Sequence, residues 1–280
     1  MNNENRGKIR RLFAAGLIIL CTFVFAIVAK AATNNTSNKS AAVPGITVPR
    51  ELEQFIKYQA VDSGMNFIRL KEQIKKDQLP LLYKLLADAT YAPYWHNIAR
   101  MIGYISDDPN SIPVLLTYFQ RNDRSMVESI SGKIYSIALI GKIGGEKADS
   151  ILKKAITKEG VEELAKLWIN EGKWKNSDKI TKDRVITSTQ GAAFTGLVFS
   201  GKKENWDLVE KLYNEQKEIS LKSGKQTDIM SALVDAMVTK ALITDDNNDV
   251  ESYFRIDSQV KFQALKPYLD KYSLRNVSNR

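Results

Sequence analysis

From Val48 onward, apolar residues return at every third or fourth position, the pattern of helices that bury one face. Leu52, Phe55, Ile56 and Ala60 mark one such face. No stretch alternates apolar and polar residues between hairpin turns, so the pattern predicts an all-α chain. The helices also recur. Residues 79–86 (Leu-Pro-Leu-Leu-Tyr-Lys-Leu-Leu) return 33 residues later as 112–119 (Ile-Pro-Val-Leu-Leu-Thr-Tyr-Phe). A third copy, without the proline, follows another 36 residues on at 148–155. The segments before the last two copies, 98–105 and 136–143, match each other, and a weaker copy sets 192–197 ahead of 208–212.

Each unit reads as a first helix, a tight turn and a second helix. One such pair cannot bury both its faces, so the units are expected to stack into a continuous core. Pro80 and Pro113 fall in first turns, where a missing N–H breaks no hydrogen bond. Ala99, Gly103, Ala138 and Gly141 are small enough for helices to approach closely. Asp107-Asp108-Pro109 and Gly144-Gly145 break the chain between helices. Residues 157–183 interrupt the period with an extra segment, 160–169, and a polar loop. Lengths turn irregular again at 243–259, and Pro267 starts or kinks a last helix within 262–272. The expected architecture is a right-handed α-solenoid of stacked antiparallel helix pairs, irregular towards the C-terminus.

The first residues follow another pattern. Arg6, Lys8, Arg10 and Arg11 precede an uncharged run at 12–29, and Ala29-Lys30-Ala31 supplies small residues for a signal peptidase. Residues 1–31 read as a signal peptide cut after Ala31; the alternative is an uncleaved anchor, for which an 18-residue run is just long enough. Either reading exports the rest, with the four cations left inside. Residues 32–48 are small and polar and read as a tether, and 49–275 as the helical-repeat domain.

Composition sharpens this. The 280 residues are 44% hydrophobic and 26% charged, enough for a sizeable core. Cys21, the only cysteine, lies in the apolar run behind Leu20, a residue too large for a lipid-attachment signal. The mature chain therefore has no thiol, which excludes disulfides, cysteine catalysis and zinc–thiolate sites. An exported chain without bridges points to a bacterial periplasm or envelope. The formal charge of +9 falls to +5 once residues 1–31 are removed. That surplus does not call for nucleic acid, and export argues against it. Any membrane contact would be through 12–29, if the signal stays uncleaved.

Residues 137–148 (Ile-Ala-Leu-Ile-Gly-Lys-Ile-Gly-Gly-Glu-Lys-Ala) resemble the HEAT-like repeats of the phycobilisome-lyase type, in which an Ala-Leu-Gly-x-Ile-Gly segment ends the first helix and a short acidic or glycine turn leads into the second. The match covers about 79–156 and is close only over 133–156. It implies an α-solenoid used for protein contacts. It carries over no active site, because no residue here maps onto the lyase chemistry.

Candidate chemistry is sparse. His96 is the only histidine, and no nucleophile or orienting acid stands beside it in sequence, so packing is its expected role. The Gly-Lys pairs at 132, 141, 201 and 224 lack the Ser or Thr of a phosphate loop; their glycines read as helix terminators. The run Asp245-Asp246-Asn247-Asn248-Asp249 begins like a calcium loop, but Val250 and Ile256 stand where glycine and glutamate are needed. Glu162 and Glu163 are neighbours on one helix and do not face each other. No catalytic residue, metal or cofactor is nominated. The candidate binding residues are Trp174, Trp95, Tyr118, Arg121, Lys153 and Lys154. The aromatics are potential anchors, and the cations sit on second helices, which line the binding face of many solenoids. They predict an exported, non-enzymatic scaffold or adaptor for a protein or peptide partner, acidic if those helices line the groove. The rival reading is an all-helical envelope enzyme, or a carbohydrate or small-ligand binder, with carboxylates and aromatics in a cleft.

Overall fold

The computed structural model describes residues 46–57, 70, 72–122, 127–170, 181–225 and 227–244, and among these every regular element is helical. Residues 1–45, Trp174, the acidic run at 245–249 and Pro267 lie outside the described residues. The chain divides into two compact units, Met1–Asn66 and Phe67–Arg280. In the first, helix α1 (Arg50–Ile56) starts behind Pro49 at its N-cap and buries Leu52, Phe55 and Ile56, the apolar spacing seen in the sequence.

The second unit contains α2 (Leu79–Ala87), α3 (Trp95–Ile105), α4 (Ser111–Gln120), α5 (Val127–Ile143), α6 (Glu146–Ala155), α7 (Lys158–Leu164), α8 (Lys182–Phe199), α9 (Lys203–Ser223) and α10 (Asp228–Thr244). Short 3-10 turns, Lys76–Gln78 and Ala89–Tyr94, lead into α2 and α3. The starts follow side-chain chemistry. Pro80 sits in the first turn of α2. The Thr157 and Thr181 hydroxyls accept the Gly160 and Arg184 N–H groups at 3.0 and 3.2 Å, starting α7 and α8. Between α5 and α6 the chain turns on Gly144 and Gly145, at φ 78° and 90°, a region that glycine enters without strain. Gly201 follows the end of α8 and Gly224 ends α9, as terminators should. Gly132 and Gly141 are different: both lie inside α5, where they serve packing and terminate nothing.

Four helices follow one another through the core: α3 packs on α5, α5 on α8, and α8 on α10. Each is flanked by a partner from its own turn. Helix α4 lies against α3 and α5, α6 against α5 and α8, and α9 against α8 and α10, while α7 fills in beside α6 and α8. Ile98, Met101, Ile102, Ile137, Leu139 and Ile140 are fully buried in this succession. Each such side chain contributes about 1.5–3 kcal/mol by leaving water.

Missing side chains set the spacing. A Cβ at Gly103 would strike the Leu139 side chain, one at Gly132 would strike the His96 Cβ, and one at Gly141 would strike the Gly196 backbone. The sequence repeat also holds in the packing. Leu79, Leu82, Leu85 and Leu86 of α2 are buried, and so are Ile112, Leu115, Tyr118 and Phe119 of α4, each 33 residues further on.

Candidate protein-binding surface

A helix leaves its last carbonyls without intrahelical partners. In α2 and α4 the chain departs through extended residues, Asp88 and Arg121, and no left-handed glycine is present to close the ends. Side chains from further along the chain do so instead. At the end of α2, Arg121 Nη1 donates to the Leu86 carbonyl at 2.8 Å and Trp95 Nε1 to the Asp88 carbonyl at 3.0 Å. At the end of α4, Trp168 Nε1 donates to the Phe119 carbonyl at 2.7 Å and Lys133 Nζ to the Arg121 carbonyl. At the end of α6, Gln190 Nε2 donates to the Ile156 carbonyl at 2.9 Å. Cations suit these positions because the C-terminal end of a helix carries partial negative charge.

Five of the six candidate binding residues lie among the described residues. Trp95 is 7% exposed, and the Arg121 guanidinium stacks over its ring at 4.3 Å. Tyr118 is fully buried in α4, where its ring receives the Lys133 ammonium at 5.7 Å. Arg121 joins Trp95 to the end of α2. Lys154 is half-buried and bridges to Glu163 on α7. Lys153 is exposed on α6. The sixth candidate, Trp174, lies outside the described residues. Trp95, Tyr118 and Arg121 thus come together around the ends of α2 and α4, away from Lys153 and Lys154 on α6.

Lys133 is the residue that sequence reading missed. It is 2% exposed, with its ammonium also 5.5 Å from the Trp168 ring, and Trp168 meets Phe119 edge-on at 5.7 Å between centroids. Its spacing held a signal. Ser136, Ile137 and Ile140 are buried three, four and seven positions on, so Lys133 falls in the buried stripe of α5.

His96 packs where α3 meets Gly132 of α5. Burial, with the Arg100 guanidinium beside it, lowers its pKa to about 4, so the imidazole is neutral at neutral pH. Burial likewise pushes the Tyr104 hydroxyl above its usual range, although Tyr135 stands 3.1 Å away as a hydrogen-bond partner.

One lysine each from α6, α7 and α8 meets an acid within the fold. Lys154 pairs with Glu163, Lys158 with Asp183 at 3.6 Å, and Lys182 with Glu162 at 2.8 Å. Glu162 and Glu163 therefore serve different partners. The hydrogen bond from Lys154 holds Glu163 below the ordinary carboxylate range. A deeper knot joins α6 to the start of α9. Asp149 accepts from Lys202 Nζ and, at 2.8 Å, from the buried Asn205 amide, which also donates to Ser200 Oγ at 2.8 Å.

Among the described residues, no group of three or more His, Cys, Asp or Glu side chains is placed to hold a metal ion, and no helix is long and apolar enough to cross a membrane. The apolar run at 12–29 lies outside the described residues. Comparison with protein-family models, with curated proteins and with solved structures gives no match for this chain.

Proposed function

We propose that this chain is an exported, non-enzymatic scaffold, built as a HEAT-like right-handed α-solenoid that binds a protein partner on an outward face. The observation that carries the reading is the order of packing. Pairs α3–α4, α5–α6 and α8–α9 succeed one another, and each first helix meets the next in turn. A stack of repeats produces this order, and such stacks offer extended surfaces to other proteins. Export is supported by the basic, apolar and small-residue succession at 1–31. The non-enzymatic part is supported by what the polar side chains do. Arg121, Lys133 and Trp95 complete helix ends, and Glu162 and Glu163 pair with lysines, so none of these groups is set aside for chemistry.

The test is mild crosslinking of the full chain, tagged at its C-terminus, in a bacterial envelope, followed by fractionation and N-terminal sequencing. A defined partner, lost on Lys153→Glu or Trp174→Ala while the fold is retained, supports the scaffold. A mature N-terminus at Ala32 supports cleavage, and an intact N-terminus in the membrane fraction supports the anchor. Recovery of the whole chain from the cytoplasm overturns the export reading.

A further inference from the structure

Helix α9 packs on α8 and α10 and buries Asn205, Val209, Tyr213 and Ser220. The outward face of its last turns is unlike the rest of the surface. Among the described residues three large apolar side chains are exposed: Leu167 at 52%, Ile219 at 50% and Leu221 at 41%. Two of the three thus flank one buried residue, Ser220, at the end of one helix. Glu218 and Lys222 stand one turn apart on the outward stripe that runs between these two apolar side chains. Glu215 precedes them by one turn, and Lys225 follows just past the Gly224 terminator. All four are exposed, and among the described residues no ion pair engages Glu218, Lys222 or Lys225.

We propose that the last turns of α9 form a two-fold contact with the same turns of a second copy of this chain, the two helices running antiparallel and crossing at residue 220. The order of the residues selects this partner. About such an axis, 218 lies level with 222 of the other copy and 215 with 225, so each acid meets a lysine. Ile219 lies beside its own counterpart on one side of the charged pair and Leu221 beside its counterpart on the other, which covers the exposed apolar surface of both copies. Neighbouring registers are worse. An axis at 218 sets Glu218 against Glu218 and Lys211 level with Lys225, and an axis at 222 sets Lys222 against Lys222. A parallel pair sets every charge against its like, which opposes association. A patch of so few turns sits at the small end of specific interfaces, so the dimer is weak in dilute solution and forms where copies are concentrated. The contact is separate from the scaffold reading and holds whether or not another protein binds elsewhere.

The test is thiol crosslinking of the full chain in the bacterial envelope, in a Cys21→Ser background so that each introduced cysteine is the only one. With a short bis-maleimide, Ile219→Cys and Leu221→Cys should each give a band at twice the monomer mass. That band should be at least about tenfold stronger than for Leu167→Cys, whose side chain is as exposed. Charge supplies the second readout, with each variant checked for an unchanged thermal melt. Glu218→Lys and Lys222→Glu should each weaken the Leu221→Cys crosslink when present alone, because the level pair becomes like-charged. Co-expressed under different tags, these two variants should crosslink to each other about tenfold better than to themselves, since each supplies the charge the other lacks. An absent band at 219 and 221, equal crosslinking of all three cysteine variants, or no preference for the mixed pair overturns the two-fold contact.

Discussion

Gly141 of α5 and Gly196 of α8 meet backbone against backbone, so that a Cβ at 141 would fall on the carbonyl group of Gly196. Main chain cannot step aside as the end of a flexible side chain can. Gly141→Ala therefore forces α5 and α8 apart, which outweighs the gain in helix propensity of about 1 kcal/mol. The expected loss is about 2 kcal/mol, seen as a fall in Tm of roughly 5 °C. Gly191→Ala is the control. Its Cβ would stand 3.0 Å from the Ala232 Cβ, so the two effects nearly balance and Tm should barely move. Equal losses at both positions would refute the close approach as the cause.

Arg121 holds the end of α2 through the Leu86 carbonyl and covers the Trp95 ring. Arg121→Ala is expected to cost about 2 kcal/mol in urea unfolding, from the lost charged hydrogen bond and the lost stacking. Arg121→Lys should recover less than half of that, because an ammonium lacks the flat fork that stacks and donates together. Full recovery with lysine would show that charge alone matters at this site.

The half-buried His96 makes stability depend on acid. Its pKa of about 4 in the fold lies below the model value of 6.5, so the unfolded chain binds the proton first as pH falls. Stability is unaffected above about pH 6.5, declines by about 1.4 kcal/mol per pH unit below it, and levels off near pH 4, a total of about 3 kcal/mol. Urea midpoints at pH 7, 5.5 and 4 measure this. In His96→Gln the decline should flatten, and an unchanged slope would assign the acid sensitivity to other groups.

Asp149 ties α6 to the turn before α9 by accepting from Lys202 and Asn205. Asp149→Ala leaves the buried Asn205 amide to donate to Ser200 Oγ without its carboxylate acceptor, and a loss of about 1–3 kcal/mol is expected. Hydrogen exchange locates it: protection should fall first in the early turns of α9 and not in α3. Uniform loss across all helices would argue against a local tie.

Much of the helical plan was legible. The repeated segments 79–86, 112–119 and 148–155 fall in α2, α4 and α6, and even the weak copy at 192–197 and 208–212 falls in α8 and α9. Period and turn residues report on local geometry, and local geometry decides where these helices start and stop. The interruption after residue 157 is real and contains α7. The role of Gly132 was not legible, because a glycine followed by lysine looks like a helix end unless the residue it packs against is known. Trp95 and Arg121 read in the sequence as partner contacts, and what the sequence does not disclose is that both also donate to carbonyls at the end of α2. The sequence names the side chain, but not the carbonyl 35 residues away that it answers. Lys133 was overlooked for the same reason, since a lysine is counted as surface until its stripe is traced.

The donors that finish α2, α4 and α6 all come later in the chain, by 34 or 35 residues for Leu86 and Ile156. A chain delivered N-terminus first therefore lays down each of these helices before the atoms that close it have arrived. Its early portion is left with open ends, and closure runs backwards from newer segments to older ones. A fragment stopping at residue 122 would keep Arg121 but lose Lys133 and Trp168, so α4 would remain frayed however well its own leucines pack.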